Sequence, residues 1–147
     1  EKLKASQTFN QGFSTTEYVV ACYVAEACHG ESGDGEGAVD DFEQAAMYQI
    51  GKIVMIDPRY KYYYFHRIFT GDHYTAGYYV YMWAEVLDAD GYEAFRERGI
   101  FDAATAKSFR ENILEKGGTV DPMTLYKTFR GREPEVQPLL KNRGLLA

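Results

Sequence analysis

Tyrosine is the residue type best placed to do chemistry in this chain. There are 13 of them in 147 residues, and many fall between Tyr60 and Tyr81. If a helix includes position 74, then Tyr74, Tyr78 and Tyr81 stand at i, i+4 and i+7 and line one face, with Glu85 continuing it. A phenol both donates and accepts hydrogen bonds, so such a face could present donors to a ligand. The same stripe also fits an amphipathic core face whose hydroxyls reach water, and spacing alone favours that plainer reading. Gly71 and Gly77 add some weight to function, because they permit close backbone approach or hinge motion.

Other chemistries find little support. The histidines are His29, His66 and His73, and none opens a His-Glu-x-x-His motif, the spacing that puts two imidazoles on one helical face for zinc. Cys22 and Cys28 do not form a Cys-x-x-Cys pair. On one helix they point about 120° apart, at 100° per residue, so both read as free thiols suited to a reducing compartment. That favours the cytoplasm, with the periplasm as the alternative. Residues 33–37, Gly-Asp-Gly-Glu-Gly, are too acidic to hold an anion and lack the ligand pattern of a calcium loop. Ser6, Ser14, Ser32 and Ser108 lie in no nucleophile-elbow context. The net charge of -6 argues against nucleic acid, which needs a basic face. No apolar run approaches the length of a membrane span.

The elements that must position the tyrosines are helical. Hydrophobic residues make up 46% of the chain and charged residues 26%, the balance of a globular fold. Ser14-Thr15-Thr16-Glu17 reads as a capping box, with Phe13 and Tyr18 as its hydrophobic staple. The run Tyr18–Cys28 is apolar almost all round and predicts a buried helix ended by Gly30, followed by an acidic surface loop to Gly37. A second helix is predicted from about Asp40 to Met55, with Phe42, Ala46, Met47, Ile50, Ile53 and Val54 near helical spacing and Asp57-Pro58 as its stop. Tyr60–Phe65 could be a short strand, but its neighbours argue helix or extended loop. A long helix is predicted from Thr75 to about Arg98, with Gly91 as a point for a kink. Asp102 caps a helix to Lys116, Asp121-Pro122 opens another that ends before Gly131, and a last one runs from Pro134 to Arg143. The fold class is all-α, with one contiguous core.

Residues 73–90, His-Tyr-Thr-Ala-Gly-Tyr-Tyr-Val-Tyr-Met-Trp-Ala-Glu-Val-Leu-Asp-Ala-Asp, closely resemble the thimet oligopeptidase and peptidyl-dipeptidase family of zinc metallopeptidases. The likeness covers nearly the whole chain. Phe9–Phe13 with Thr15–Tyr18 comes first. Gly99–Asp102, Phe109-Arg110, Gly117-Gly118, Asp121–Met123, Phe129–Pro134, Leu139-Leu140 and Arg143–Leu145 follow in family order. The bacterial peptidyl-dipeptidase branch is the nearest in appearance.

The resemblance implies residues 1–147 as a single helical unit, the C-terminal fragment of a zincin-type catalytic domain. Zinc, in the full-length parent, would be held by ligands upstream of the matched region, so the chain alone is expected to lack metal and to be inactive. Its partners would be short peptides and the upstream, zinc-bearing part of the same domain. Surface meant to pack on that part would be exposed, so self-association of the fragment is expected. On the site, the resemblance implies that Tyr81 stabilises the tetrahedral oxyanion and that Tyr74 contacts substrate, with Tyr78 on the same face and Gly71 and Gly77 in the substrate loop. The family places a histidine just before that loop. This chain has Arg67 there, with His66 one residue earlier, and its loop is one residue longer. His66 or His73 could take the role, or each could be a structural histidine in the aromatic cluster. An alternative function is a stand-alone helical module that binds peptides without catalysis.

Overall fold

A computed structural model describes residues 2–30, 39–53 and 55–146. Seven α-helices account for most of it: α1 (Lys2–Thr8), α2 (Gln11–Gly30), α3 (Val39–Gln49), α4 (Val80–Arg98), α5 (Ala103–Phe109), α6 (Pro122–Arg130) and α7 (Gln137–Asn142). Single 3₁₀ turns cover Tyr62–Tyr64 and His66–Phe69. No strand occurs among the described residues, so the all-α class holds and Tyr60–Phe65 is not a strand.

The chain divides into two compact units, Glu1–Tyr81 and Met82–Ala147. In the first, α2 packs two faces. Tyr18, Ala21, Cys22 and Ala25 meet Tyr60, Phe65, Ile68 and Tyr78, while Val20 and Val24 meet Met47 of α3, Ile50 and Tyr62. In the second, Val86 and Ala89 of α4 pack on Leu139 of α7, and Phe95, Phe109 and Phe129 form an edge-to-face set. The buried hydrophobic residues thus gather into separate clusters, not the one contiguous core expected. In the first unit Tyr60, Phe65 and Tyr78 pack from turns, whereas in the second the rings come from α4, α5 and α6.

Several boundaries moved for local reasons. Ser14 is no cap: α2 already begins at Gln11, after Asn10 turns the chain at φ 58. The Thr16 hydroxyl instead bonds back to Gly12 O at 2.8 Å. Tyr23 is half exposed, so the apolar run is less enclosed than its composition implies. The acidic loop, and Val54, lie outside the described residues. Helix α3 stops at Gln49, six residues before the predicted end. Gly51 adopts φ 67, its N–H reaches Tyr48 O at 3.0 Å, and Lys52 N–H reaches Met47 O at 3.1 Å. These are the two bonds of a Schellman stop. An alanine Cβ at 51 would meet no atom within 4 Å, so only the left-handed backbone opposes it. Gly51→Ala should therefore cost about 1 kcal/mol, read as a lower urea midpoint at constant m; an unchanged midpoint would discount the cap.

Helix α4 begins at Val80 rather than at Thr75, and α7 begins at Gln137 rather than at Pro134. The caps at Asp102 and Asp121 stand as read. Asp102 accepts from Thr105 N–H at 2.7 Å and Asp121 from Thr124 N–H at 2.8 Å. Each carboxyl is held below its ordinary range by those helix-start N–H groups. Past α5 the helix widens into a π turn, Arg110–Leu114, closed by Glu115 N–H on Arg110 O at 2.9 Å.

Candidate functional site

The tyrosine segment is held from below by two apolar side chains. Phe65 and Ile68 are each 1% exposed and sit in the α2 cluster. With those anchored, the 3₁₀ turn at His66–Phe69 turns His66, Arg67 and Phe69 outward. The chain then makes successive tight turns to Tyr79. Gly77 N–H donates to Tyr74 O at 3.0 Å, and Ala76 takes the left-handed φ of 49. Gly77 is required for closeness: a Cβ there would lie 3.3 Å from His73 O, inside normal contact distance. Val80 opens α4, and Tyr81 projects from its first turn.

Because α4 starts late, the predicted three-tyrosine face does not form. Tyr78 turns inward and is 5% exposed. Its ring packs edge-on to Phe65 at 4.8 Å and stacks on Tyr18 at 5.2 Å, and burial pushes its hydroxyl up to about 12. The Tyr18 hydroxyl ties this residue down by donating to Tyr78 O at 3.0 Å. Cys22 belongs to the same cluster, where burial pushes its thiol up to about 11.

Tyr74 and Tyr81 do come together. Their rings stack at 5.9 Å and 12°, and the Tyr81 hydroxyl donates to the Tyr74 hydroxyl at 2.9 Å. The third member is Arg67. Its Nη1 donates to the Tyr81 hydroxyl, and its guanidinium carbon lies 5.3 Å from the Tyr74 ring centre and 5.8 Å from that of Tyr81. An arginine can only donate. It therefore occupies one acceptor position on Tyr81 Oη, and that hydroxyl in turn donates to Tyr74. The order is Arg67 to Tyr81 to Tyr74, which leaves the Tyr74 proton as the outward donor. The Tyr74 hydroxyl is raised above its ordinary value, chiefly by the bond to Tyr81. Arg67 is raised too, first by electrostatic attraction to Tyr81 and then by the hydrogen bond.

All three side chains are reachable from solvent. Arg67 is exposed, Tyr81 is 36% exposed and Tyr74 is partly covered. Neutral phenols with turnable O–H groups, beside a fixed positive charge, suit an acceptor that carries or gains negative charge. His66 and His73 are exposed, and the bond onto Tyr81 comes from neither. Arg67 was visible in sequence only as a departure from the expected histidine. The signal for its role was the pairing of a cation with two aromatic rings that a tight loop brings back over it.

A metal finds no seat here. Among the described residues no three His, Cys, Asp or Glu side chains gather to hold an ion, and the residues present do not fit a zinc site. No helix of the described residues is long and apolar enough to cross a membrane.

The chain is similar to known peptidases. Dipeptidyl carboxypeptidase of Salmonella typhimurium is 37% identical over 147 residues, covering 99% of this chain and 22% of that protein. Oligopeptidase A of Haemophilus influenzae is 54% identical over 82 residues, 56% of this chain and 12% of its own length. Saccharolysin of Saccharomyces cerevisiae is 39% identical over 74 residues, 50% of this chain and 10% of that protein. The chain thus spans a quarter or less of the relatives it matches. The family pattern described as Peptidase family M3 matches residues 1–145, nearly the whole chain, and on that match the chain belongs to peptidase family M3.

Proposed function

We propose that this chain supplies the hydrogen-bond-donor wall of a peptidase cleft that hydrolyses short peptides, with the hydrolytic centre contributed by the rest of a longer protein. The observation that carries this reading is the hydroxyl pair Tyr81–Tyr74, 2.9 Å apart on an accessible face. Two neutral phenols at that spacing can both turn to one oxygen. A peptide carbonyl arriving there replaces the bond between them, and its oxygen then receives a bond from each. As the carbonyl carbon becomes tetrahedral, the oxygen gains charge and both bonds strengthen. That difference between ground and transition state is what accelerates a reaction. Tyr81, with Arg67 behind it, is the main oxyanion donor, and Tyr74 steadies the substrate. Tyr78 acts from below by fixing the turn that joins them. Gly71 and Gly77 let the loop approach the peptide. Zinc, which the family resemblance implies, belongs to other residues of the parent, and so does the attacking water.

The test is a chimera in which this chain replaces the matching segment of the Salmonella dipeptidyl carboxypeptidase. The chimera should hydrolyse a short peptide, while the 147-residue chain alone should not. A folded, metal-loaded chimera without activity would overturn the proposal. Hydrolysis by the isolated chain would overturn the assignment of the hydrolytic centre to other residues.

A further inference from the structure

The aromatic side chains of the second unit do not close fully on one another. Phe109 meets Phe95 at 5.9 Å and Phe129 at 5.2 Å between ring centres, and the same three rings line an open cavity of about 690 Å³. That volume is in the range of small-ligand sites, about 300–1,000 Å³. One wall is a stripe of α4 that includes Trp83, 40% exposed, and Tyr92, 52% exposed. On that stripe position 91 is glycine. A Cβ there would come within 3.8 Å of Phe129 Cε1 and 4.0 Å of Tyr126 Cε2, so the missing side chain keeps the cavity deep. Ile113 lines it from the π turn, a feature frequent at binding sites.

The charged residues of the lining are both acids, Asp88 and Asp121, and no described Lys, Arg or His lines the cavity. Asp121 is engaged, its Oδ2 accepting from the Thr124 N–H and hydroxyl at 2.8 and 2.9 Å. Asp88 is different. The other acids of α4, Glu85, Asp90, Glu93 and Glu97, each meet an arginine. Asp88 is exposed and meets no cation or hydrogen-bond donor among the described residues. The one α4 carboxylate left without a partner is therefore the one that faces the cavity.

We infer that this cavity binds a small organic cation, a protonated primary amine carried on an aromatic or aliphatic body. The body displaces water from the apolar walls. Asp88 supplies the opposite charge, and the exposed rings of Trp83 and Tyr92 offer faces that attract a cation. A neutral relative of the same shape gains only the apolar contact, and an anionic one meets two acids. This site uses none of the groups of the peptide-cleft reading.

Trp83 is the single tryptophan of the chain, so its fluorescence reports on the cavity wall alone. The full chain is titrated with phenylbutylamine, phenylbutanol and phenylbutyrate. The amine should shift Trp83 emission saturably, with an affinity about five-fold or more above that of the alcohol, and the carboxylate should bind least. In Asp88→Asn the preference for the amine should fall to about two-fold or less, the share the rings supply. Gly91→Leu, which puts a side chain into the cavity, should abolish the response; if circular dichroism shows that variant unfolded, Asp88→Asn decides alone. Equal affinity for amine and alcohol, an undiminished preference in Asp88→Asn, or no response to the amine would each overturn the site. So would a response that persists in folded Gly91→Leu. A shift of Trp83 emission on dilution of the unliganded chain would put a second copy in the cavity and overturn it too. Equilibrium dialysis with the chimera should show the same Asp88-dependent uptake of the amine. Its absence in a folded chimera would mean that the rest of the parent fills the cavity, and the site would fall. Peptide hydrolysis by the chimera depends on none of these outcomes.

Discussion

Asp90→Ala should be the most damaging single change to stability in the second unit, costing about 3–5 kcal/mol. Asp90 is 0% exposed and its two oxygens are both engaged. Oδ2 accepts from the Tyr126 hydroxyl at 2.6 Å, and Oδ1 accepts from Arg132 Nη2 at 2.6 Å. Arg130 Nε stands 3.5 Å from Oδ2, an attraction more than a well-formed hydrogen bond, and the same guanidinium grips Glu97 bidentately at 2.9 and 2.7 Å. The pair of arginines is thus balanced by one fully buried acid, Asp90, and two half-exposed ones, Glu97 and Glu135. Truncating Asp90 leaves the Arg130 charge buried with only the outer partner. It also strips Tyr126 of its close acceptor, leaving Leu87 O at 3.5 Å. Unpaired buried donors cost more than the bonds they made were worth. Urea unfolding should show the loss as a large drop in midpoint. Glu135→Ala, which removes an exposed partner of Arg132, should change stability by less than about 0.5 kcal/mol. An Asp90→Ala chain within about 1 kcal/mol of the parent would show that the network is dispensable.

The second large effect concerns rate. In the active chimera, Tyr81→Phe should lower kcat about 10²- to 10³-fold, the usual cost of one lost oxyanion donor. The ring stack on Tyr74 and the edge contact with Tyr78 at 5.7 Å survive in phenylalanine, so the helix start should hold. KM should move little, because the ground-state carbonyl gains less from this donor than the charged oxygen does. A loss confined to KM would make Tyr81 a binding residue. A kcat within about three-fold of the parent would remove it from the chemistry, since that is under 1 kcal/mol of barrier.

Much of the architecture was legible because it is written in local chemistry. Asp102 and Asp121 are caps in sequence and in space, since a short acceptor before a helix start satisfies N–H groups three residues on. Gly131 ends α6 at φ 84 for an equally local reason. The end of α3 was hidden because Ile50, Ile53 and Val54 keep the helical period past Gly51, and period alone cannot show that a glycine has turned left-handed. The site was half legible. Tyr74 and Tyr81 were rightly singled out as neighbours, but by a helix that does not exist at Thr75–Tyr79. The turns there, with Ala76 in a left-handed conformation, send Tyr78 into the core and bring Tyr74 back to Tyr81 by another path. The bond from Arg67 was hidden because its partner lies 14 residues on, across a loop whose shape no spacing rule supplies.

The arginine at position 67 also settles how the tyrosine pair answers acidity. A histidine there would be a switch: neutral, it could accept from Tyr81 as readily as donate to it, and its charge would come and go across the physiological range. Arginine keeps its proton throughout. The Arg67–Tyr81 bond can run in one direction only, so the charge at position 67 and the direction of that bond do not change with pH. Any change of charge with acidity around this tyrosine pair would have to come from groups other than Arg67.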